Sequence, residues 1–173
     1  MKVTLTHDGK SVELDLTAEQ MTALGLKEEK KRTGYEMVGV DRDFWFVDGA
    51  SRVCENPGGL SIFTKDRYHT ANYYSDYKLA AANARADSLM RQLRRFAAEN
   101  GGIPSKKDWE CTGKSKWYIE FTHIHHSLGV AYKTNSQTSG VVYFNNSFSA
   151  HNAIEKFHDE LIWYFTEYEA MLR

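Results

Sequence analysis

The chain has 173 residues, with 22 Lys and Arg against 23 Asp and Glu and an aromatic content of 13%. Its length suffices for one self-sufficient core, with or without a small appendage. The near-neutral charge argues against a generic nucleic-acid coat protein, and the composition argues against a disordered chain. Two cysteines, Cys54 and Cys111, are too few for a disulfide scaffold and predict free thiols in a reducing cytosol.

The N-terminal residues predict a β-hairpin followed by a short helix. Apolar and polar residues alternate on both sides of Asp8-Gly9, a step that tolerates the positive φ values of a tight turn. Thr17 and Gln20 have capping-box spacing at the start of the helix, and Gly25 ends it. The charged run 27–32 predicts an exposed linker. We therefore expect a ββα arm over residues 1–33 and a core domain over residues 34–173.

The next segment predicts short strands and a cluster of tyrosines. Residues 35–40 and 60–63 are candidate strands, and a second hairpin is expected across Asp48-Gly49, with strands at 44–47 and 51–54. Tyrosines can act as stacking platforms for bases. The favoured interpretation is that they cover the core. The cluster comprises Tyr68, Tyr73, Tyr74 and Tyr77.

A long amphipathic helix is predicted from Ser75 or Asp76, either of which can cap it, to Glu99. Its apolar seam repeats at spacings of three and four residues, and Asn100-Gly101-Gly102 ends it. The seam comprises Leu79, Ala82, Ala86, Leu89, Leu93 and Phe96.

The outer face of this helix and the loop after it carry a basic surface. Residues 75–116 contain nine Lys and Arg against five Asp and Glu. Arginine binds phosphate or carboxylate through two hydrogen bonds, so a basic surface with an aromatic residue predicts contact with RNA, DNA or an acidic protein. A solvated helix face is the alternative. The candidate binding residues are Arg91, Arg94, Arg95, Lys106, Lys107, Trp109, Lys114 and Lys116.

The C-terminal third predicts three antiparallel strands and a second long helix. The strands are expected at 117–124, 128–132 and 140–144, joined by short connections. The helix is expected to begin at the N-cap Ser149, with Phe148 folded back on its first turn, and to run to Arg173. Its outer face is acidic and predicts either a solvated surface or a contact for a basic partner. The candidate residues are Glu155, Asp159 and Glu160.

Catalytic and metal-binding patterns are weak in this sequence. His123 and His125 share a face if they lie on a strand, and two such histidines can serve as acid and base in RNA cleavage. The preferred interpretation is an exposed histidine-rich turn. No CxxC, HExxH, P-loop or GxSxG pattern is present. We therefore expect no metal site and no cofactor, and the enzyme question leans towards a non-enzymatic protein.

One strand and the helix after it resemble a family of uncharacterised small phage and prophage proteins. They lie around Val142, Tyr143 and Phe144 and the alanines that follow. In that family a strand ending in Tyr-Phe leads into a helix with an Ala-Ile step, matched here by Ala150, Ala153 and Ile154. Two further parts of the chain are similar to the same family. They are the hairpin and short helix of residues 2–26, and the segment FWFVD with the later LAAANARADSLMRQLRRFAAENGG. The pattern differs after Trp163, where the last helix runs on. The resemblance implies a phage or mobile-element origin and carries no activity.

Taken together, these features predict an α+β protein in which a small antiparallel sheet is covered by two long helices. The favoured function is inhibition of a bacterial defence complex, as an anti-CRISPR-type protein in the host cytoplasm. This inference follows from the implied phage origin, the lack of catalytic motifs and the separation of basic and acidic surfaces. Two alternatives remain open, an RNA-acting nuclease using His123 and His125, and a dimeric structural or regulatory protein joined through residues 163–173. The sequence predicts neither membrane insertion nor export.

Overall fold

The computed structural model describes residues 2–25, 32–39, 41–58 and 62–172. It combines helices with small antiparallel sheets, so the predicted α+β class is confirmed. The chain divides into two compact units, Met1–Arg32 and Thr33–Arg173. The linker predicted at 27–32 lies outside the described residues except for Arg32.

The first unit contains the predicted hairpin and short helix. Strands β1 (Lys2–His7) and β2 (Lys10–Asp15) pair antiparallel. Asp8 and Gly9 adopt φ values of 49° and 77°. A tight two-residue hairpin turn of type I′ requires such positive φ values at both central residues. Helix α1 (Ala18–Ala23) has the predicted capping box: the Thr17 N–H donates to Gln20 Oε1 at 2.9 Å, and the Gln20 N–H donates to Thr17 Oγ1 at 3.3 Å.

The second unit begins with an irregular segment where a strand was predicted. Residues 33–39 form no strand, and Val40 lies outside the described residues. The prediction was wrong because the backbone donors of this segment bond to side chains instead of to a neighbouring strand. The N–H groups of Thr33 and Gly34 donate to the Glu36 carboxylate, and the Val38 N–H donates to the Tyr73 hydroxyl at 3.0 Å.

The same carboxylate predicts a pH-dependent stability. Hydrogen bonds from the Thr33 N–H, and then from the Thr33 and Ser75 hydroxyls, lower the pKa of Glu36 from 4.5 to about 2. A carboxyl whose pKa is lower in the folded than in the unfolded state stabilises the fold above its unfolded pKa, and that contribution is lost as the pH falls towards the folded pKa.

We therefore expect Glu36→Gln to reduce the loss of thermal stability between about pH 5 and about pH 2. The unfolding midpoint measured by circular dichroism at both pH values tests this. Glu155→Gln is the matched control, because Glu155 is exposed and has no hydrogen-bond partner among the described residues. An equal acid response in wild type and Glu36→Gln would contradict the prediction.

The second hairpin forms as predicted, with a slightly shifted second strand. Strand β3 (Phe44–Val47) pairs antiparallel with β4 (Val53–Asn56). Phe44 stacks on Tyr73 with ring centres 4.3 Å apart, and Trp45 forms an isolated bridge with Tyr74. Tyr73 and Tyr74 are buried, as the core interpretation of the tyrosine cluster expected, whereas Tyr68 and Tyr77 are exposed.

Helix α2 (Ile62–His69) replaces the short strand predicted at 60–63. Residues 60 and 61 lie outside the described residues. The prediction failed because a run of two or three apolar residues has no period that distinguishes strand from helix. Within α2, Arg67 lies 3.5 Å from the centre of the Phe46 ring and connects the helix to β3.

Helix α3 (Tyr77–Glu99) is the long helix that the sequence predicts. The Asp76 carboxylate accepts from the Leu79 N–H at 2.9 Å, and every residue of the predicted seam is buried. Gly101 follows with φ 100°, where a Cβ would approach the Asn146 amide to 2.4 Å. Only glycine fits that position, because the start of the C-terminal helix packs against it.

The main sheet has three antiparallel strands in the order β6–β5–β7. Strand β5 (Lys116–Thr122) pairs with β6 (Ser127–Lys133), and both follow the predicted pattern. The third strand was predicted over 140–144, but β7 contains only Tyr143–Phe144 and pairs with Trp117 and Tyr118 of β5. The chain between β6 and β7 crosses to the far edge of β5, where the Thr138 N–H donates to the Tyr143 hydroxyl at 2.9 Å.

The C-terminal helix is segmented, whereas one continuous helix was predicted. It comprises α5 (Ser147–Lys156), α6 (His158–Trp163), a π-helical turn (Tyr164–Tyr168) and α7 (Glu169–Met171). Arg173 lies outside the described residues. The break is at Phe157, whose φ of −116° and ψ of 22° leave the helical region.

The predicted N-cap of this helix was also wrong. Asn146 is the N-cap, since its side-chain oxygen accepts from the Ser149 N–H at 2.8 Å. The Ser149 hydroxyl donates to the Asn100 carbonyl and joins α5 to the end of α3. Phe148 is 72% exposed and does not fold back onto the first turn.

One hydrophobic core joins α3, the sheet and the C-terminal helices. Side chains of the inner sheet face, among them Ile119 and Val130, pack against this core. Its buried members are Leu89, Leu93, Phe96, Ala97, Phe144, Ala150, Ala153 and Leu161.

Candidate functional site

The arginines of α3 form one exposed face. Arg91, Arg94 and Arg95 are all exposed, and their three- and four-residue spacing places them side by side. The Arg91 guanidinium donates to the Ser51 hydroxyl. Within the described part of the chain, Arg94 and Arg95 have no ion-pair partner. We call these three residues the arginine face.

The lysines that follow α3 differ in their availability. Lys106 and Lys107 are exposed on α4 (Lys106–Glu110). Lys114 donates to Asp108 at 2.6 Å, and this hydrogen bond, followed by those from Ser105, lowers the pKa of Asp108 to about 2. Trp109 is half-buried, with its ring edge-on to Tyr143 at 4.8 Å between centres. Lys114 and Trp109 therefore already make contacts within the chain.

Lys116 was predicted to belong to the basic surface, but the structure buries it. Its side chain is fully buried at the first position of β5. Its ammonium donates to the carbonyls of Cys111, at 2.9 Å, and Thr134, and lies 5.2 Å from the centre of the Trp109 ring. Charged residues are seldom buried without partners, so the sequence predicts an exposed lysine. Here the partners that allow burial are backbone carbonyls.

The predicted acidic surface is smaller than the sequence implied. Glu155 and Asp159 are exposed on the C-terminal helices. Glu160 instead pairs with Arg85, whose Nε and Nη2 donate to the two carboxylate oxygens at 2.8 and 3.0 Å. Arg85 also lies 3.9 Å from the centre of the Trp163 ring. Glu160 thus connects the C-terminal helix to α3.

The histidines lie on a turn and not on a strand. Residues 123–126 connect β5 to β6, and His123, His125 and His126 are exposed. The shared strand face suggested for His123 and His125 is therefore absent. Among the residues that the structure describes, no group of three or more His, Cys, Asp or Glu side chains is placed to hold a metal ion. Cys54 and Cys111 are free cysteines, as predicted.

The segment after Trp163 packs on its own chain. The Tyr168 hydroxyl donates to Asn83 Oδ1 at 3.0 Å, and Asn83 Nδ2 donates to the Tyr35 hydroxyl at 3.2 Å. Burial, with Tyr35 as the next cause, raises the pKa of Tyr168 to about 12. Only the end of the segment exposes large apolar side chains, Met171 and Leu172. A dimer through this segment stays a prediction.

A cavity that the sequence did not indicate lies beside β5. Its volume is about 460 Å³, and it extends from the open edge of β5 to the hydrophobic core. No sequence signal marks it, because its walls come from α3, β5, residues 139–142 and the C-terminal helices. Its apolar lining includes Leu93, Ile119, Phe121, Phe144, Leu161 and Phe165.

None of the described helices is both long and apolar enough to cross a membrane. Comparisons with protein-family models, with curated proteins and with solved structures return no match.

Proposed function

We propose that this protein is a non-enzymatic binding protein that contacts an acidic partner through the arginine face. The observation that carries the proposal is the placement of Arg91, Arg94 and Arg95 on one side of a 23-residue helix. The opposite side of α3 is fixed in the core, so the three guanidinium groups project from a rigid support. The helix backbone is already ordered, so binding carboxylates or phosphates orders only the arginine side chains.

The narrower proposal is that the partner is a bacterial defence protein or ribonucleoprotein, which this chain inhibits in the host cytoplasm. It is supported by the resemblance to phage and prophage proteins around Tyr143-Phe144. Arginine binds RNA phosphates and protein carboxylates well, so the arginine face suits a partner that presents either group. Lys106 and Lys107 on α4 provide further exposed positive charge for the same kind of partner.

Charge reversal of the arginine face tests this proposal. We expect Arg94→Glu with Arg95→Glu to reduce stoichiometric capture of the partner from a bacterial lysate by at least about tenfold, because arginines at interface centres often contribute more than a kilocalorie each. The matched control is Lys65→Glu with Lys78→Glu, which removes two other exposed positive charges. The captured amount is measured by quantitative mass spectrometry.

Nuclease treatment of the lysate separates the partner classes. A captured protein that survives the treatment and depends on the arginine face supports direct protein binding. Capture that disappears with nuclease indicates contact through nucleic acid. Equal capture by wild type and the Arg94→Glu, Arg95→Glu variant would refute the arginine face as the contact. RNA recovered in shortened form would favour the nuclease alternative, to be tested with His123→Ala and His125→Ala.

A further inference from the structure

Strand β5 has an open backbone edge beside the cavity. On one side it pairs with β6 along its whole length, whereas on the other side β7 pairs only with Trp117 and Tyr118. Within the described part of the chain, no strand pairs with residues 119–122 on that second side. Alternate residues of a strand direct their N–H and C=O groups to opposite sides. Part of this stretch therefore directs its donors and acceptors at the open edge.

The chain's own next segment does not occupy this edge. Continuing the register of β7 would place Val142 opposite Ile119, yet the strand begins only at Tyr143. Residues 139–142 line the cavity instead, and no backbone hydrogen bond joins them to residues 119–122. A strand position beside β5 is thus left vacant.

The inner wall of the cavity is apolar. Ile119 packs against the core, and Phe121 lies on the same face of β5 because side chains alternate along a strand. Phe121 stacks on Phe165 with ring centres 5.8 Å apart, and both rings are half-buried. Leu93 and Leu161 of the buried core complete this wall. A volume of about 460 Å³ is within the size range of binding sites, so it can hold apolar side chains.

The other face of the same edge is polar. Tyr118 and Glu120 alternate with the inward-facing residues and so point to the opposite face of β5, where Glu120 is exposed. His123 and Ser139, which are also exposed, belong to the lining as well. The open edge therefore separates an apolar inner space from a solvated outer surface.

A π-helical turn forms part of the inner wall. The Glu169 N–H donates to the Tyr164 carbonyl, and Tyr164 and Phe165 of this turn both line the cavity. π-helical turns are rare in general and frequent at functional sites. The turn is thus a second indication of a binding site, separate from the open edge.

We propose that this edge binds an extended segment of a partner protein, which pairs with residues 119–122 as an added strand of the sheet. A polypeptide backbone supplies donors and acceptors at the spacing of those on the edge. Because one face of the edge is apolar and the other solvated, the segment that fits alternates apolar and polar residues. The apolar inner space distinguishes this edge from an ordinary open sheet edge. The site uses no residue of the arginine face, so it is independent of the proposed partner contact.

A short peptide with this alternation tests the proposal. We expect acetyl-Thr-Val-Thr-Val-Thr-amide to bind at least about tenfold more tightly than acetyl-Thr-Ser-Thr-Ser-Thr-amide, which has the same backbone length without the apolar side chains. Methyl chemical shifts of Leu93, Ile119 and Leu161 in NMR titrations give the dissociation constants and the location. The absence of methyl shifts at about 5 mM of the valine peptide would overturn the site.

Two measurements test the backbone pairing itself. Hydrogen exchange of alternate amides among residues 119–122 should slow at least about tenfold with saturating valine peptide, because these N–H groups gain acceptors. The valine and threonine N–H groups of the peptide point to opposite sides, so N-methylation of one set should abolish binding and N-methylation of the other should not. Binding without slower exchange at residues 119–122 would overturn strand pairing. Equal binding of the unmodified peptide and both methylated forms would do the same.

Two variants locate the peptide. Val141→Trp should fill the cavity and weaken binding of the valine peptide at least about tenfold. Ile124→Trp, at a residue that is 85% exposed in the adjacent turn, should bind as wild type does. Amide spectra of each variant confirm that it is folded. Peptide binding that is equal in the two variants would place the peptide elsewhere and overturn the proposal.

Discussion

Replacing Phe144 with alanine is expected to lower the free energy of unfolding by about 3–5 kcal/mol. Phe144 is only 1% exposed and lies in the core that joins α3, the sheet and α5. Truncation removes a ring that the surrounding helices cannot replace, so it loses buried apolar surface and leaves a cavity. Phe144 also belongs to the two-residue strand that pairs with Trp117, so the edge of the sheet loses an anchor.

Phe148→Ala is the control for this substitution, because the same residue type four positions later is 72% exposed. We expect it to change stability by no more than about 0.5 kcal/mol. Urea unfolding followed by tryptophan fluorescence measures both, since all four tryptophans lie in the unit Thr33–Arg173. Similar losses for the two variants would show that Phe144 is not a core residue.

Lys116→Met is expected to destabilise the protein by about 2–3 kcal/mol, although methionine fills a similar volume. The buried ammonium donates to the carbonyls of Cys111 and Thr134. Removing it leaves both acceptors without this donor, and an unsatisfied acceptor costs more than the bond itself contributes. The effect should appear as a lower urea midpoint with an unchanged slope.

Lys114→Met is the matched control, two residues away. The Lys114 ammonium forms an ion pair with Asp108 at a partly exposed position, and such pairs contribute little to stability. A Lys116→Met variant as stable as Lys114→Met would contradict the buried role of Lys116. A loss seen only for Lys116→Met would support its assignment to the fold instead of to a binding surface.

The parts of the fold that the sequence predicts are those with local causes. The Asp8-Gly9 hairpin, the capping box of Thr17 and the Asp76 cap each depend on residues within four positions of one another. The buried seam of α3 follows from the three- and four-residue spacing of its apolar residues, because a helix with one apolar stripe has only one face to bury. The free cysteines and the buried Tyr73 and Tyr74 also agree with expectations drawn from composition and context.

The errors arise where specific hydrogen bonds, some of them to distant residues, decide between local alternatives. Asn146 and Ser149 are both good N-caps, and only the packing of Ser149 against Asn100 shows which one begins the helix. The segment 35–39 has strand-forming residues, yet the Tyr35 N–H donates to the Thr33 hydroxyl and the Val38 N–H donates to the Tyr73 hydroxyl. A propensity describes what a residue favours on average, and these positions are decided by specific acceptors.

The candidate site was predicted in part. The arginine face follows from the period of α3, because exposed arginines on one helix side are visible in the sequence. The roles of Lys116 and Glu160 were not predictable. The Lys116 ammonium is held by the carbonyls of Cys111 and Thr134, and Glu160 meets Arg85 across 75 residues of sequence.

The sequence by itself therefore determined the α+β class, the hairpins, the long helix and its arginine face, because each follows from turn chemistry or from a period of two or 3.6 residues. Only the tertiary structure decided the length and partner of β7, the burial of Lys116, the break at Phe157 and the cavity beside β5. Each of these depends on which distant segments come together, and a pattern of neighbouring residues contains no information on that choice.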